Sequence, residues 1–416
     1  MNNSVPDGWR LEIVKDIAKL SAGGTPNTQI PEYWKNGVIP WMSSGEVHKK
    51  RVSVVDNKIT ELGLEKSSAK LFPRKSILIA LAGQGKTRGT VAISEIELTT
   101  NQSIAAILVK DKSVFPDYLY HNLDSRYDEL RGVSGGSGRA GLNLAILGEL
   151  EVLLPSSKEQ QKIAKILTSV DDVIEKTQAQ IDKLKDLKTG MMQELLTKGV
   201  GVDGKPHTEF KDSPVGRIPK GWECVLLDSV TRRGSGHTPN KKHPEYWNGG
   251  LKWVSLADSY RLDKLYISDT DNNISQLGIE NSSAVMHPTG TVILSRDAGI
   301  GKSAITTAPM AVSQHFMAWV CSDRINNYFL YYLLQFWKPQ FEGIAMGSTI
   351  KTIGLPYFKK LQIPLPNIDE QQTIASALKS VDEKVFSVQK KLLSLKNTKK
   401  ALMQDLLTGK VRVQVD

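Results

Sequence analysis

The sequence predicts an α/β (α+β) protein built as one unit written twice. Two similar globular domains are separated by two long helices that form an intramolecular coiled coil. Three observations predict this. Residues 154–199, opening LPSSKEQQKIAKILTSVDDVIEK and closing MMQELLTKG, recur at 365–410 as LPNIDEQQTIASALKSVDEKVFS and LMQDLLTGK. Both copies carry apolar residues in a strict 4-3-4-3 spacing, the a/d seam of a helix that seeks another helix. The segments before the helices repeat as well.

Residues 1–153 form the first domain. It opens on a turn-rich stretch, SAGGTPNTQIPEYWKNG, followed by strand-like runs at 76–80, 90–93 and 103–109. A short helix is expected at 117–123 and a glycine-rich loop, SGGSGRAGLN, at 134–143. The second domain, 221–364, repeats the plan with RRGSGHTPNKKHPEYWNGG, runs at 291–295 and 318–321, a helix at 326–336 and a loop at 345–354. Thr25-Pro26-Asn27 answers Thr238-Pro239-Asn240, and Pro31-Glu32-Tyr33-Trp34 answers Pro244-Glu245-Tyr246-Trp247. Trp9, Trp34 and Trp41 pair with Trp222, Trp247 and Trp253, so six of the eight tryptophans belong to the shared frame. Inside that frame the halves diverge: 48–58 has little in common with 260–273. A shared frame with divergent loops suits two modules that read different targets with one geometry.

The helices occupy 154–199 and 365–410. Gln160 matches Gln371 and Leu195 matches Leu406, at one constant offset (371 − 160 and 406 − 195 both give 211). The first seam is Ile163, Leu167, Val170, Ile174, Thr177, Ile181, Leu184, Lys188, Met191 and Leu195; the second runs from Ile374 to Leu406 and places Lys399 at the same seam position as Lys188. Each helix of about 40 residues rises roughly 60 Å. So narrow a stripe on so long a helix needs a partner along its length. The spacing leaves parallel and antiparallel pairing open. Residues 200–220, with four glycines and three prolines counted from Gly199, read as a linker, and 411–416 as a tail.

Composition narrows the function classes. The chain has 416 residues and a net charge of +10, which is compatible with nucleic acid. No apolar run approaches a membrane span, and the N-terminus has neither the basic nor the apolar part of a secretion signal. Cys224 and Cys321 stand alone, with no disulfide framework or zinc spacing, so a cytoplasmic protein is expected. The stretch from Ala80 to Thr87, ALAGQGKT, falls one residue short of a phosphate-binding P-loop, and its copy from Arg296 to Ser303 begins with arginine. A P-loop needs a helix after its lysine, whereas a strand-like run follows here. The expected structure is a tight strand–strand loop presenting Lys86, Arg88, Arg296 and Lys302 to phosphates or base edges. The glycine-rich loops add Ser137, Arg139 and Asn143 in one half and Ser348, Thr349 and Lys351 in the other. Lys49, Lys50, Arg51, Arg261 and Lys264 complete the candidate DNA-facing set. The seven histidines are scattered, and no catalytic or metal constellation is recognisable.

The paired helices with LP…EQQ…SVD at the start and MQ(E/D)LLT at the end, each behind a divergent domain, resemble the DNA-specificity subunit of type I restriction-modification enzymes. The resemblance covers nearly the whole chain. It implies target-recognition domains, an antiparallel coiled coil with internal pseudo-twofold repeat, and no catalytic role. It implies partners: double-stranded DNA, two modification (methyltransferase) subunits, and restriction subunits for translocation and cleavage. S-adenosylmethionine, ATP and Mg would belong to those partners, with no cofactor in this chain. On this reading the recognised site is bipartite and asymmetric, the coil sets its spacer, and the complex directs adenine methylation or restriction. Gln160, Gln161, Asp171, Asp172 and their copies Gln371, Gln372, Asp382 and Glu383 are the expected docking residues on the outer helix faces. A scaffold or anti-restriction regulator, whose domains read no sequence, is the alternative.

Overall fold

The computed structural model describes residues 5–83, 85–132, 142–201, 204–347 and 351–415. The chain divides into two units, one of Met1–Gln178 with Lys391–Asp416 and one of Ala179–Lys390. Four helices organise them: α1 (Pro116–Ser125), α2 (Ser157–Lys198), α3 (Asn327–Phe336) and α4 (Ile368–Leu406). Each unit therefore holds one globular domain, one half of α2 and one half of α4. Proline at the first helical position starts α1, and Asn326 starts α3 by accepting from the Tyr328 and Phe329 N–H groups.

In the first unit a five-stranded sheet runs in the order Ala18–Ala22, Ile104–Val109, Ile77–Ala80, Val91–Ser94, Arg51–Val52. All its neighbours are antiparallel except the last pair. The central strands are buried on both faces, which their unbroken apolar runs reflect. Ile77 and Ile79 face a core shared with α1, while Leu78 and Ala80 face a second core with Met42, Val47 and Phe72. Beside it lies a three-stranded sheet, Asn57–Ile59, Ile39–Met42 and Thr99–Thr100. Arg10–Ile13 pairs with Glu151–Leu154, the strand that leads into α2. The second unit repeats every layer. Its five strands are Thr231–Ser235, Phe316–Cys321, Val292–Ser295, Ser303–Thr306 and Tyr266–Ile267, with Glu223–Leu226 pairing Gln362–Leu365 ahead of α4. Each sequence-based run lies within one or two residues of an observed strand or helix, while strands such as Ala18–Ala22, Ile39–Met42 and Ser303–Thr306 have no run to announce them. The linker is the difference: Phe210–Ser213 and Gly216–Pro219 form an antiparallel hairpin.

None of the twenty predicted seam positions of α2 and α4 is exposed. In the first unit Ile163, Ala164 and Leu167 at the start of α2 share a core with Met403, Leu406 and Leu407 at the end of α4. In the second unit Leu196 near the end of α2 shares a core with Ile374, Ala375 and Leu378 at the start of α4. The pairing is thus antiparallel. The seam lysines fix its register. Lys399 Nζ lies 2.8 Å from Asp171 and 3.2 Å from Asp124, and Lys188 Nζ lies 2.7 Å from Asp382. Residue numbers in both interhelical pairs, 171 with 399 and 188 with 382, add to 570, as antiparallel helices without slippage require. Isolated polar residues at such positions specify register at a cost in stability.

Equivalent buried carboxylates close the helix starts. Glu159 is clamped by Arg412 at 2.8 Å, and its counterpart Glu370 meets His207 at 2.9 Å. Each partner, Arg412 or His207, comes from the chain just beyond the other long helix.

Candidate nucleic-acid interface

Most of the basic run expected to face DNA is instead part of the fold. Lys49 bonds Glu46 at 2.7 Å and Asp56 at 2.8 Å. Lys50, held in a left-handed conformation at φ 59°, bonds Asp124 at 2.6 Å. The Arg51 guanidinium reaches Glu95, Asp117 and Thr168 at 2.7–2.8 Å and lies 5.5 Å from the Tyr120 ring centre. In the second unit Arg261 bonds Asp271 at 2.6 Å and stacks on Tyr260, and it holds Asp271 below the usual carboxylate range. Arg296 donates to the Ile353 carbonyl at 3.0 Å, and Lys302 to that of Ser259 at 3.2 Å. Lys49 and Arg261 are held by acceptors within ten residues, and Lys50, Arg51, Arg296 and Lys302 by acceptors from remote parts of the chain. Lys86, Lys264 and Lys351 are exposed, and Arg88 is half-buried. Ser137, Arg139, Ser348 and Thr349 lie outside the described residues. Asn143 caps a short helix by accepting from Ile146 N–H at 3.0 Å.

The P-loop-like stretches are strand–strand turns. Strand Val91–Ser94 follows the first and Ser303–Thr306 the second, so no helix N-terminus meets the loop. Glycines at positive φ (Gly85 and Gly89, then Gly299 and Gly301) make the turns possible. The first turn borders an open cleft of about 770 Å³ whose lining includes Lys50, Lys86, Arg131 and His48. The fold thus unites two predicted cations, Lys50 and Lys86, with Arg131 and His48, which sequence reasoning missed. The equivalent place in the second unit is occupied internally, by Lys302 on Ser259 and by Lys338 on Asp263. The two halves therefore present unlike surfaces at like positions.

A second feature is alike in both halves. Thr25 Oγ1 donates to Gln102 Oε1 at 2.6 Å, and Thr238 Oγ1 donates to Gln314 Oε1 at 2.5 Å. The indole N–H groups of Trp41 and Trp253 bond the carbonyls of Gly24 and His237, both at 3.0 Å, just before each threonine. Trp34 and Trp247 pack edge-on against those indoles at 5.0 and 5.1 Å, both at 83°. Gly23 and Gly236 let the chain lie directly on the neighbouring strand: an added Cβ would run into Thr100 in one half and the Val312 carbonyl in the other. Gly23→Ala is expected to destabilise the first unit by about 1–3 kcal/mol through overpacking. An unchanged urea midpoint would show that the strand can move away freely. In the second unit Thr238, Gln314, His315 and Lys241 line an open cleft of about 710 Å³. Sequence reasoning saw the threonines as frame but missed the glutamines, although Gln102 and Gln314 sit at matching places behind Thr100 and Val312.

The expected docking set also changes. Gln160 is buried; it accepts from Phe115 N–H at 2.8 Å and donates to the carbonyls of Ser113 and Pro155. Gln371 makes the same three bonds with Asn326, Arg324 and Pro366. These glutamines bracket helix starts to their own domains and are closed to partners. Asp171 and Asp382 are taken by the seam lysines. Gln161, Asp172, Gln372 and Glu383 remain exposed.

Among the described residues no group of three or more His, Cys, Asp or Glu side chains could hold a metal ion, and no helix is long and apolar enough to cross a membrane. The family model for the type I restriction modification DNA specificity domain matches residues 6–186 and again 219–397, once per half. Over 423 residues the chain is 27% identical to the type I restriction enzyme MjaIX specificity subunit of Methanocaldococcus jannaschii, covering 99% of this chain and 95% of that one. It is 27% identical to the MjaVIII specificity subunit of the same organism over 424 residues, covering 99% and 94%. The fold matches that of a type I restriction-modification S subunit from M. genitalium with a TM-score of 0.61 at 14% identity, covering 98% of this chain and 97% of the other. With both halves matched by one model and the duplicated reader frame seen in both units, this chain belongs to the type I restriction-modification DNA-specificity family.

Proposed function

We propose that this chain reads a bipartite, asymmetric site on double-stranded DNA, one part with each unit, for a type I restriction-modification complex. The observation that carries this is the pairing of one frame with two different surfaces. The Trp–Gly–Thr frame is the same in both halves, whereas exposed Lys86 borders an open cleft in one and its counterpart Lys302 bonds Ser259, beside Lys338 on Asp263, in the other. Readers that share a scaffold and differ in their contact side chains take different base sequences. The chain is the specificity component and not a catalyst, as the names of its relatives imply.

The paired helices set the unread spacer. A 42-residue α2 rises about 63 Å, enough to hold two readers one turn of duplex apart or more. Gln161, Asp172, Gln372 and Glu383 recur on both helices and offer two equivalent faces to two methyltransferase subunits, with restriction subunits joining them. S-adenosylmethionine, ATP and Mg are bound by those partners.

The test is to co-purify the full chain with the methyltransferase encoded beside it and to sequence methylated adenines in DNA exposed to the complex. A single two-part motif with unlike halves and a fixed gap is expected. Methylation at a one-part or palindromic motif would overturn the proposal, as would the absence of any complex.

A further inference from the structure

We infer that Gln102 and Gln314 grip the DNA backbone: the side-chain amide of each donates to a phosphate oxygen in the half-site its unit reads. The inference rests on the DNA-reading function proposed above and adds to it the residues that set register without reading sequence.

Four observations lead there. First, the Thr–Gln bond recurs at matching positions, at 2.6 and 2.5 Å, with the same glycine and indole supports behind it. Second, the folding of the loop does not need it. The loop is already tied by backbone bonds, Gly24 N–H to Thr100 at 2.8 Å and His237 N–H to Val312 at 3.1 Å. Both glutamines are exposed, and an exposed side-chain hydrogen bond that competes with water adds little stability. Third, the bond has a direction. Because the threonine hydroxyl donates to Oε1, each amide is fixed with its two Nε2 hydrogens turned away from threonine. A glutamine free to rotate would lose rotamer entropy on binding, and this one has lost it in advance. Gln314 Nε2 lies 3.4 Å from His315 Nε2, a long contact that still leaves an N–H for an outside acceptor.

Fourth, the acceptor has to be common to both half-sites. The surfaces around the two clips differ, as two readers of unlike sequences must, yet the clip itself is the same. Base edges differ between half-sites; phosphates do not. Neutral side-chain amides are among the ordinary donors to phosphate oxygens, and such contacts fix register and orientation without carrying sequence information. In the second unit Lys241 lines the same cleft as Gln314, so a cation stands near the proposed phosphate.

The experiment measures binding of the full-length chain to two duplexes across a salt series: one carrying its two-part motif, one unrelated. Gln102→Ala and Gln314→Ala should each weaken both duplexes by about three- to tenfold, the range of one lost hydrogen bond. The preference between duplexes should stay the same. So should the salt slope, because a neutral donor releases no counterion. Gln102→Glu and Gln314→Glu should weaken both duplexes further, with the extra loss shrinking as salt rises. Thr25→Val and Thr238→Val keep the amide but free it to rotate, and should weaken both duplexes by a smaller factor. Losses confined to the motif duplex would make the glutamines base readers and overturn the inference. Unchanged binding by the alanine variants would overturn it too, leaving a clip that only shapes the loop. A melting temperature equal to wild type excludes misfolding. If it falls for the alanine variants, the threonine variants decide: weaker binding to both duplexes at an unaltered melting temperature upholds the inference, and any other result overturns it. If the wild-type chain itself shows no preference for any duplex, the proposed function fails first and visibly apart from the glutamine variants.

Discussion

Replacing Lys399 by methionine should destabilise the first unit by about 3 kcal/mol, the lower end of what breaking a buried ion pair costs. Lys399 is the only predicted seam residue of α4 with a charge, and its side chain is 15% exposed. Its ammonium serves two carboxylates on two other elements, Asp171 on α2 and Asp124 on α1. Burial opposes the charge of Asp124, but Lys50 and Lys399 together hold it below the usual carboxylate value. Burial pushes Asp171 up, and Lys399 is its main counterweight. Loss of Lys399 leaves Asp124 with Lys50 and Asp171 with no cation in bonding reach. The price falls on Asp171, which is 23% exposed and escapes partly by taking a proton or water. Hence the lower end of the range.

The partner substitutions separate pairing from burial. Asp171→Leu alone should be milder than Lys399→Met, because Lys399 keeps Asp124. Asp171→Leu combined with Lys399→Met should recover much of the loss, since a buried pair replaced by apolar groups of similar size is often neutral or better. Urea unfolding of the full chain measures all three. A double variant as unstable as the sum of the singles would show that the two side chains do not act as a pair. Removing both this pair and Lys188–Asp382 should loosen the helix register even where stability is regained, because apolar heptads alone permit slippage by a heptad.

That device was half legible in the sequence. Lys188 and Lys399 stand out because they interrupt an apolar seam at the same place in both copies, and Asp171 and Asp382 recur at the same offset. What a heptad pattern cannot show is which charge meets which. The same limit explains the docking residues. Gln160 and Gln371 recur and are polar, so they looked like an outer face, yet each is buried and makes three hydrogen bonds inside its own domain. The run Lys49-Lys50-Arg51 hides its ion pairs for the same reason. Its acceptors Asp117 and Asp124 lie more than 60 residues away in sequence, where no local pattern reports them. The domain layers, by contrast, were readable. Alternation and doubly apolar runs mark strands such as Ile77–Ala80, because a strand buried on both faces has no polar side to show. The hairpin in the linker was missed because Gly- and Pro-rich segments suggest turns without saying what flanks them.

Acid should weaken the first unit by about 2 kcal/mol between pH 7 and pH 5 through one group, His121. Its side chain is fully buried on α1, between the two long helices and the sheet. Nε2 lies 3.0 Å from the Thr168 hydroxyl and Nδ1 lies 3.9 Å from Asp171. Lys399 from α4 and Arg51 from the sheet face it as cations, and Asp124 faces it as an anion from its own helix. Burial first, and then those two cations, push its pKa down to about 3. The unfolded chain takes the proton near pH 6.5 and the folded chain refuses it. The stability is therefore fully present above pH 6.5 and is lost progressively as the pH falls toward 3. The full loss over that window is on the order of 4–5 kcal/mol. Other groups titrate in the same range: His287 in the second unit is also depressed, by burial and by the charge of Arg232. The measurement is therefore a difference. The melting temperature of His121→Gln, which can still bond Thr168, should fall less steeply than wild type from pH 7 to pH 5. Equal slopes would mean that the imidazole is reached by water and titrates normally. The repeat sharpens the prediction, because Tyr332 occupies the place of His121 in the second unit and gains no charge in acid. Tyr332 instead donates to Asp382 at 2.8 Å. Tyr332→His would move the same acid sensitivity into the second unit, because the new imidazole would be buried beside Lys188 as His121 is beside Lys399.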